Sequence, residues 1–463
     1  MLHLTLFHIS KSCHGVNMKR FKSIFLVCSF SVFVASSFYN TSLFAGEDFS
    51  VTPSSTLANS KKKNKKKKEK EEENQLSEKG KKLTPTAFPY PESIRPAVEF
   101  WKKIYSEYDK NHSVIHDTRY FVIYSVVDAT KLDDENNDGD LDAKPVTRKS
   151  KITEEKKRIQ SVLEKLAAGG YDPKELTGED ARIYHLFDKI EDPNKFTIAS
   201  DPDRIRSQRG QKDKFLEAIP NSGKYLNEME DIFISKGLPY EITRLPFVES
   251  MFNLQARSSV GASGIWQFMP YTGRLYMTVN GVIDERNDPI EATYAAAELL
   301  KSNYDQLGNW ALAINAYNSG LQTLMNAKAA TGTDDIGVII NNYEGGVYKF
   351  ASRNFYPCFL AVLDISNHYK KYFGDLPRSP KMVYDTFTPD TALKLGDLAN
   401  ATGTDPQTLR DLNPGYNSSF FYGNKVFPAG YKLKIPKGSQ EKFTEAARNL
   451  GIKKDSASSI AKY

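Results

Sequence analysis

Apolar residues recur at three- and four-residue spacing through much of the chain, which predicts helices. The stretches PESIRPAVEFWKKIYSEYDK and EEKKRIQSVLEKLAAGG both follow this pattern, and the second ends at a glycine pair. Such spacing places the apolar side chains on one face of a helix, and paired glycines are a normal helix stop. We therefore predict an irregular helical N-terminal region over residues 86–235.

Two further helices carry explicit start and stop signals. In DPIEATYAAAELLKSNYDQLG, Asp288 can cap the helix, Pro289 suits its first position and Gly308 ends it, while an acidic residue completes a capping box. In NWALAINAYNSG, Asn309 is the expected cap and Gly320 the stop. Both helices belong to a segment dense in aromatics and glycine, residues 236–372.

The chain changes character again after this segment. Within residues 379–438, LKLGDLANATGTDPQTLRDLNPG predicts two short helices and YKLKIPKG a closing strand. No opening strand is evident at the start of this segment, where TFTPDTALKLG stands. The polar residues 439–463 are expected to form a flexible tail.

The N-terminus predicts export. From Met18, MKRFKSIFLVCSFSVFVASS has a basic start and an apolar stretch shorter than the ~20 residues of a membrane span. This pattern is typical of a signal peptide, with cleavage after Ala45, so that residues 1–45 would be removed. Residues 1–17 would then be an unused upstream start. An uncleaved anchor helix is the alternative.

Composition and charge limit the number of globular units and the kinds of partner. The 463 residues, 40% apolar and 26% charged, suffice for two or three globular units. Residues 46–85 include KKKNKKKKEKEEENQ and are expected to form a disordered charged linker, either a solvated spacer or an attachment to anionic envelope polymers or lipid headgroups. A net charge of +6 is explained by such clusters and does not indicate nucleic-acid binding. After cleavage only Cys358 remains, so no intrachain disulfide is expected.

One acidic stretch partly matches a metal-binding pattern. Asp134, Asn136, Asp138 and Gly139 fit the start of a calcium loop running through Asp142. The twelfth position, where a bidentate glutamate belongs, is a proline, so a calcium site and a solvated acidic turn both stay open. No other metal and no cofactor is expected.

One carboxylate lies among apolar neighbours. In LPFVESMFN, Glu249 is flanked by Phe247, Val248, Met251 and Phe252. Apolar surroundings raise the pKa of a carboxyl, because the charged form loses its solvation, and a glutamic acid protonated near neutral pH can act as a general acid. A surface position on an ordinary helix is the alternative.

Aromatic and amide side chains follow Glu249 in QARSSVGASGIWQFMPYTGR. Trp266, Phe268 and Tyr271 offer aromatic surface, with Gln267 between them. Aromatic faces beside amides are a common way to hold sugar rings and their hydroxyls. Taken alone, Trp266 is better explained as a core residue.

Four short motifs in order resemble a known family. They are ES at Glu249–Ser250, GIWQ at Gly264–Gln267, AYN at Ala316–Asn318 and the tyrosine of SRNFYPCFLA, Tyr356. This pattern resembles that of family 1 lytic transglycosylases, lysozyme-like enzymes acting on bacterial peptidoglycan. The resemblance implies a mainly α chain whose residues 236–372 form a goose-type lysozyme-like (SLT) catalytic domain.

The resemblance also implies roles for individual residues. Glu249 would be the sole catalytic acid and base. Five further side chains would bind substrate or steady the acid: Ser250, Gln267, Tyr317, Asn318 and Tyr356. The second motif departs from GLMQ, which is more usual in the family. In the last motif Asn354 and Phe355 precede Tyr356, which makes the assignment of Tyr356 the least direct.

The implied reaction cleaves the bond between N-acetylmuramic acid and N-acetylglucosamine and leaves 1,6-anhydro ends. The carboxylates nearest to Glu249 in sequence are Glu241 and Asp284, so no second acid is adjacent to it. Two alternatives stay open: a muramidase that hydrolyses the same bond, and a non-catalytic wall-binding protein. The expected partner is the glycan strand, and the chain is expected to be a monomer. The sequence leaves membrane association and mid-chain or chain-end attack open.

Residues 379–438 resemble a LysM module, a small α+β peptidoglycan-binding fold. The helices and the final KLKIP strand carry this resemblance. A working glycan-binding module and a purely structural remnant both stay open.

Overall fold

The computed structural model describes residues 87–130 and 147–460. The prediction of a mainly helical chain is confirmed. The signal peptide, the charged linker and the acidic 134–142 loop lie outside the described residues and stay predictions. Within the described ranges, no helix is both long and apolar enough to cross a membrane.

The helices of the described chain are numbered here in order. They are α1 Arg95–Ser106, α2 Arg148–Ala168, α3 Gly178–His185, α4 Lys195–Ala199, α5 Lys212–Ser222, α6 Leu226–Ser235, α7 Leu245–Glu249, α8 Pro270–Tyr276, α9 Pro289–Leu307, α10 Trp310–Ser319, α11 Leu321–Thr331, α12 Ile336–Asn342, α13 Phe350–Asn367, α14 Tyr369–Phe373, α15 Leu395–Thr402, α16 Pro406–Leu412, α17 Ser419–Tyr422 and α18 Gln440–Ile460. Short 3-10 turns cover Glu92–Ile94, Pro202–Arg204, Tyr240–Arg244 and Glu285–Asn287.

The N-terminal region contains a sheet as well as helices, which the sequence analysis did not predict. Strands β1 (His112–Asp117), β2 (Ile123–Asp128) and β3 (Ile205–Arg209) form an antiparallel sheet with β1 in the centre. Five of the six β1 residues are buried, so HSVIHD lacks the alternation that would have marked a half-exposed strand. Ile115 and Leu163 belong to a core that this sheet shares with α2.

The two helices with explicit signals form as predicted. The Asp288 carboxylate accepts hydrogen bonds from the backbone N–H groups of Ile290 and Glu291, and α9 ends at Gly308 in the left-handed conformation. Asn309 caps α10 in the same way. The main hydrophobic core joins α9 and α10 to α1, α7 and α13, and this core supports the residues around Glu249.

The C-terminal module, residues 384–450, has its own core. Strands β4 (Tyr384–Phe387) and β5 (Leu433–Pro436) pair antiparallel, and three short helices lie between them in sequence. The opening strand that the sequence analysis could not find is therefore present as β4. The expected flexible tail is also corrected, because residues 440–460 form α18, whose Phe443 is fully buried in this core.

A buried ion pair attaches the C-terminal module to the rest of the protein. The Lys434 ammonium of β5 lies 2.7 Å from both carboxylate oxygens of Asp288, and both residues are buried. The same ammonium sits over the ring of Tyr384, whose hydroxyl donates to Glu228 on α6 at 2.7 Å. The module thus contacts the start of α9 and the face of α6.

Candidate active site

Glu249 is the last residue of α7. The 3-10 turn Tyr240–Arg244 continues directly into α7, and Pro246 lies within its first turn. A proline there loses no intrahelical hydrogen bond, so it starts the helix without bending it. Glu249 is half-buried at the end of this helix, where the chain leaves regular structure.

The backbone is strained on both sides of the site. Four non-glycine residues of the described chain have a positive φ. Met251 at 53° and Phe252 at 51° follow the first motif, and Gln267 at 50° is the last residue of the second. Such conformations are unfavourable for residues with a side chain and persist only where the surroundings impose them, often at functional sites. The fourth is Phe121, considered below.

Burial raises the pKa of Glu249 to about 8. Among the described residues, removal from solvent accounts for this shift without help from any neighbouring charge. Of the two nearest acids in sequence, Asp284 pairs with Arg286 at 2.7 Å, and burial is the main cause that raises the pKa of Glu241. At neutral pH the Glu249 carboxyl is therefore mostly protonated.

Hydroxyl groups from the first and third motifs hold the backbone of the second. The Ser250 hydroxyl donates to the carbonyl of Ile265 at 2.9 Å. The Tyr317 hydroxyl donates to the carbonyl of Trp266 at 2.8 Å. The structure thus brings three of the four motifs together, and it does so by direct hydrogen bonds on adjacent carbonyls.

The GIWQ turn is fixed from inside as well. The Gln267 amide donates to the carbonyls of Gly264 at 2.7 Å and Ala256 at 3.1 Å. Gly264 has a φ of 78°, and a Cβ there would lie 1.7 Å from the carbonyl oxygen of Arg286. Only glycine fits this position. Gln267 is half-buried, so part of the side chain still faces solvent.

The aromatic residues of this segment do not form one surface. Trp266 is fully buried, and its indole N–H donates to the hydroxyl of Thr293 at 2.9 Å. Phe268 is buried too, whereas Tyr271 is 77% exposed. The expected aromatic surface is therefore corrected: Trp266 and Phe268 are core residues, and Tyr271 alone of the three is available to a ligand.

Tyr317 and Asn318 lie on the last turn of α10 and are half-buried. The negative charge of Glu249 contributes to raising the pKa of Tyr317, behind the larger effect of burial. The Tyr317 hydroxyl is therefore within electrostatic reach of the Glu249 carboxyl. The third motif therefore lies near Glu249, and its expected role in binding substrate stays a prediction.

Tyr356 points away from this group. The residue is 0% exposed, and its hydroxyl donates to the carbonyl of Pro89 at 2.8 Å. A side chain enclosed in this way has no surface to offer a sugar, and its polar atom is used by the N-terminal segment. The expectation that Tyr356 contacts the sugar or the acid is thereby corrected.

Tyr105 of α1 is a neighbour of Glu249 that the sequence analysis missed. Burial raises its pKa, with contributions from Cys358 and Glu249, and its hydroxyl is hydrogen-bonded to the Cys358 thiol. One turn earlier on both helices, the Trp101 indole donates to the side chain of Asn354 at 2.7 Å. Helices α1 and α13 are thus joined by two polar contacts, and the contact between Tyr105 and Cys358 is the one near Glu249.

Arg286 is a second residue that sequence reasoning missed. Its guanidinium is buried, pairs with Asp284, and donates to the carbonyls of Gly261 and Phe268 at 2.8 and 3.0 Å. It therefore holds the GIWQ turn at both ends. The sequence signal for such a contact is weak, because an arginine in DERND reads as an ordinary surface residue.

No metal site accompanies these residues. Over residues 87–130 and 147–460, no three or more His, Cys, Asp or Glu side chains come together in an arrangement that could hold a metal ion.

Comparison with known proteins agrees with the motif resemblance. Residues 234–340 match the family model of the transglycosylase SLT domain. The membrane-bound lytic murein transglycosylase D of Escherichia coli strain K12 is 28% identical over 230 residues, which cover 47% of this chain and 49% of that protein. The same protein from Escherichia coli O6:H1 gives equal values. The chain thus spans about half the length of the curated relatives it matches.

Among solved structures, the 70 kDa soluble lytic transglycosylase of Escherichia coli is similar with a TM-score of 0.28 and 21% identity. The match covers 39% of this chain and 28% of that one. The family resemblance drawn from the motifs is confirmed by the SLT match, whereas the LysM resemblance stays a prediction.

Proposed function

We propose that the protein is a peptidoglycan lytic transglycosylase with Glu249 as its single acid and base. The observation that carries this proposal is a carboxyl at a helix end whose pKa is raised to about 8 by burial, beside three motifs that hydrogen bonds join together. A protonated carboxyl without a partner carboxylate suits this reaction. Retaining and inverting glycosidases ordinarily use two carboxylates.

The first step uses the acid form of Glu249. The carboxyl donates its proton to the glycosidic oxygen while the bond from C1 of N-acetylmuramic acid breaks. The electron pair of that bond leaves with the N-acetylglucosamine oxygen, which becomes a hydroxyl. The acetamide of the muramyl residue supports the developing positive charge at C1. Proton transfer by a placed side chain typically contributes roughly 10²–10⁴-fold.

The second step uses the carboxylate that the first has produced. Glu249 takes the proton from the C6 hydroxyl of the muramyl residue, and the C6 oxygen bonds to C1. This closes the 1,6-anhydro ring and restores the protonated acid, so no water is consumed. The raised pKa favours the return of the proton to Glu249.

The neighbouring residues are proposed to divide into two groups. Ser250, Tyr317 and Gln267 hold the second motif through the hydrogen bonds described above, and their exposed portions are proposed to face the sugar. Asn318 is proposed to bind the sugar from the end of α10, where it is half-buried. Tyr356 is left out of the proposed substrate contacts because its hydroxyl is bound to Pro89.

The mass of the product tests this function. Purified protein incubated with soluble glycan strands should release fragments ending in 1,6-anhydro-N-acetylmuramic acid, each one water lighter than the hydrolysed equivalent. Hydrolysed ends would instead identify a lysozyme-type muramidase. Binding without any cleavage would identify a wall-binding protein that keeps the fold as a sugar clamp.

The finer assignments of place and domain are proposals as well. We place the protein in the periplasm or cell envelope, exported by residues 1–45, with the 46–85 linker preceding the folded part. N-terminal sequencing of the native envelope protein should find a start near Gly46, and a retained Met1 or Met18 would contradict export with cleavage. The catalytic domain is proposed to span residues 236–372 and the LysM-like module residues 379–438.

A further inference from the structure

A cleft with three arginines opens between the N-terminal region and α12 and α13. Arg119 comes from the turn after β1, Arg204 from the 3-10 turn before β3, and Arg353 from α13. Arg119 is exposed, whereas Arg204 and Arg353 are half-buried. The lining of the cleft includes the apolar side chains of Ile94 and Ile340. Three separate segments of the chain therefore direct guanidinium-bearing residues to one place.

Two of these guanidiniums have no carboxylate partner. Arg353 donates to the carbonyl of Tyr343 and lies 3.6 Å from the exposed Glu344. In the part of the chain that the structure describes, no carboxylate oxygen lies within 4 Å of the Arg119 or Arg204 guanidinium. A buried carboxylate, that of Asp117, lies nearby. Burial raises its pKa, and the positive charge of Arg204 opposes this shift. The charge of Arg119 likewise acts on Asp192, and the residues that line the cleft themselves include three arginines and no carboxylate.

The segments that carry the free arginines are held in place. The Asp117 carboxylate accepts hydrogen bonds from the backbone of Arg119 at 2.7 Å and of Tyr120 at 2.6 Å. The backbone N–H of Thr118 donates to the carbonyl of Arg204 at 2.9 Å. Phe121, which lines the cleft, is the fourth non-glycine residue with a positive φ, at 54°. Strain of this kind is concentrated at binding sites and active sites.

The cleft lies along the same helix as the active site. Ala97 in the first turn of α1 lines the cleft, and Tyr105 near its end lies beside Glu249. Eight residues of α-helix separate them by about 12 Å along the axis. This separation is short enough for one glycan strand with its peptide stems to span. Guanidiniums over an apolar floor suit carboxylates carried on short aliphatic groups, because each can be bound bidentately.

We propose that this cleft binds the carboxylates of the peptide stems carried by peptidoglycan, with Arg119 and Arg204 as the ligating residues. The inference rests on the proposed function for its choice of polymer. It adds a second recognition element: the enzyme would read the peptides of its substrate as well as the glycan. Peptide-bearing strands would then bind more tightly than the same strands without peptides.

The experiment compares two glycan preparations, one with its peptide stems and one from which an amidase has removed them. Binding is measured by calorimetry with the full chain carrying Glu249→Gln, so that the strands stay intact. We expect peptide-bearing strands to bind about tenfold more tightly, because charge-assisted hydrogen bonds to two arginines are lost in the stripped strands. This preference should weaken as salt is raised.

Adding Arg119→Gln and Arg204→Gln should bring the ratio of the two affinities close to one. Arg448→Gln, an exposed arginine on α18, is the matched control and should leave the ratio unchanged. Equal affinities in the Glu249→Gln protein, or a preference that survives the double arginine substitution, would overturn the proposal. The proposed function is tested separately, by whether the unsubstituted protein cleaves stripped strands to give anhydro ends.

Discussion

Glu249→Gln is expected to lower the rate of glycan cleavage by about 10⁴-fold or more. The amide has nearly the same volume as the carboxyl, but it has no proton to donate and cannot act as the base that closes the ring. General acid or base catalysis is typically worth roughly 10²–10⁴-fold for one transfer, and here one side chain serves both steps. Anhydro products from soluble strands, quantified by mass spectrometry, give the rate. Near-parental activity in a folded variant would disprove the mechanism.

The stability of the parent and that of the Glu249→Gln variant should depend differently on pH. The pKa of Glu249 is about 8 in the folded protein, against an ordinary value of 4.5. Between these values the folded protein keeps the proton that the unfolded chain releases, so the parent loses stability as pH rises. The Gln variant does not titrate there. Its stability advantage over the parent should therefore grow from pH 4.5 to about 8 and then level off.

Tyr105→Phe separates the effect of a hydroxyl group near Glu249 from the loss of proton transfer itself. It removes the hydroxyl beside Glu249 but keeps the ring against Trp101 and Phe215. We expect a much smaller loss of rate than for Glu249→Gln, and an alkaline limb of the pH–rate profile close to the parent's, because burial alone raises the pKa of Glu249. A loss as large as that of Glu249→Gln would mean that Tyr105 takes part in the transfer itself.

Lys434→Met is expected to destabilise the folded protein by about 3–5 kcal/mol. The substitution keeps an apolar stem but leaves the Asp288 carboxylate buried without its ammonium partner, the situation in which breaking a buried ion pair is most harmful. Asp288 still accepts its two backbone hydrogen bonds at the start of α9, which do not neutralise its charge. The free energy of unfolding, from denaturant titration, measures the effect.

Two comparison variants make this result specific. Lys437, three positions after Lys434, forms an ion pair with Asp385, and its side chain is 65% exposed. Lys437→Met breaks this exposed pair and should change stability by only about 0–1 kcal/mol. Combining Asp288→Asn with Lys434→Met removes the unpaired charge while keeping a capping side chain, and should recover part of the loss. If Lys434→Met costs no more than Lys437→Met, the pair does not attach the module.

Local signals in the sequence sufficed for the helices and for the acid. Asp288 and Asn309 cap their helices as predicted, because a cap depends on residues within one turn of it. The apolar neighbours of Glu249 predicted its raised pKa, because burial is the cause of the shift. The strand β4 and the helix α18 escaped prediction, since short or polar segments acquire their structure from packing against a distant core.

Contacts between distant parts of the chain were not predictable from one sequence. Tyr105 reaches Glu249 only because α1 packs along α13, some 250 positions further on, and nothing in FWKKIYSEY marks that tyrosine. Tyr356 shows the converse. Its place in the motif order suggested a site residue, but the rotation of α13 turns its hydroxyl to Pro89. A motif fixes the order of residues along a chain and not the direction of each side chain.

The burial of Cys358 has a consequence for the proposed export to an oxidising compartment. The exported chain that we propose, starting near Gly46, would carry Cys358 as its lone thiol. A lone thiol in an oxidising compartment is open to mixed disulfides with other proteins. The reactive species is the thiolate. Burial raises the pKa of Cys358 well above its usual range, and its place in the core keeps oxidants and partner thiols away. The folded protein therefore needs no second cysteine and no reductant to keep this thiol intact.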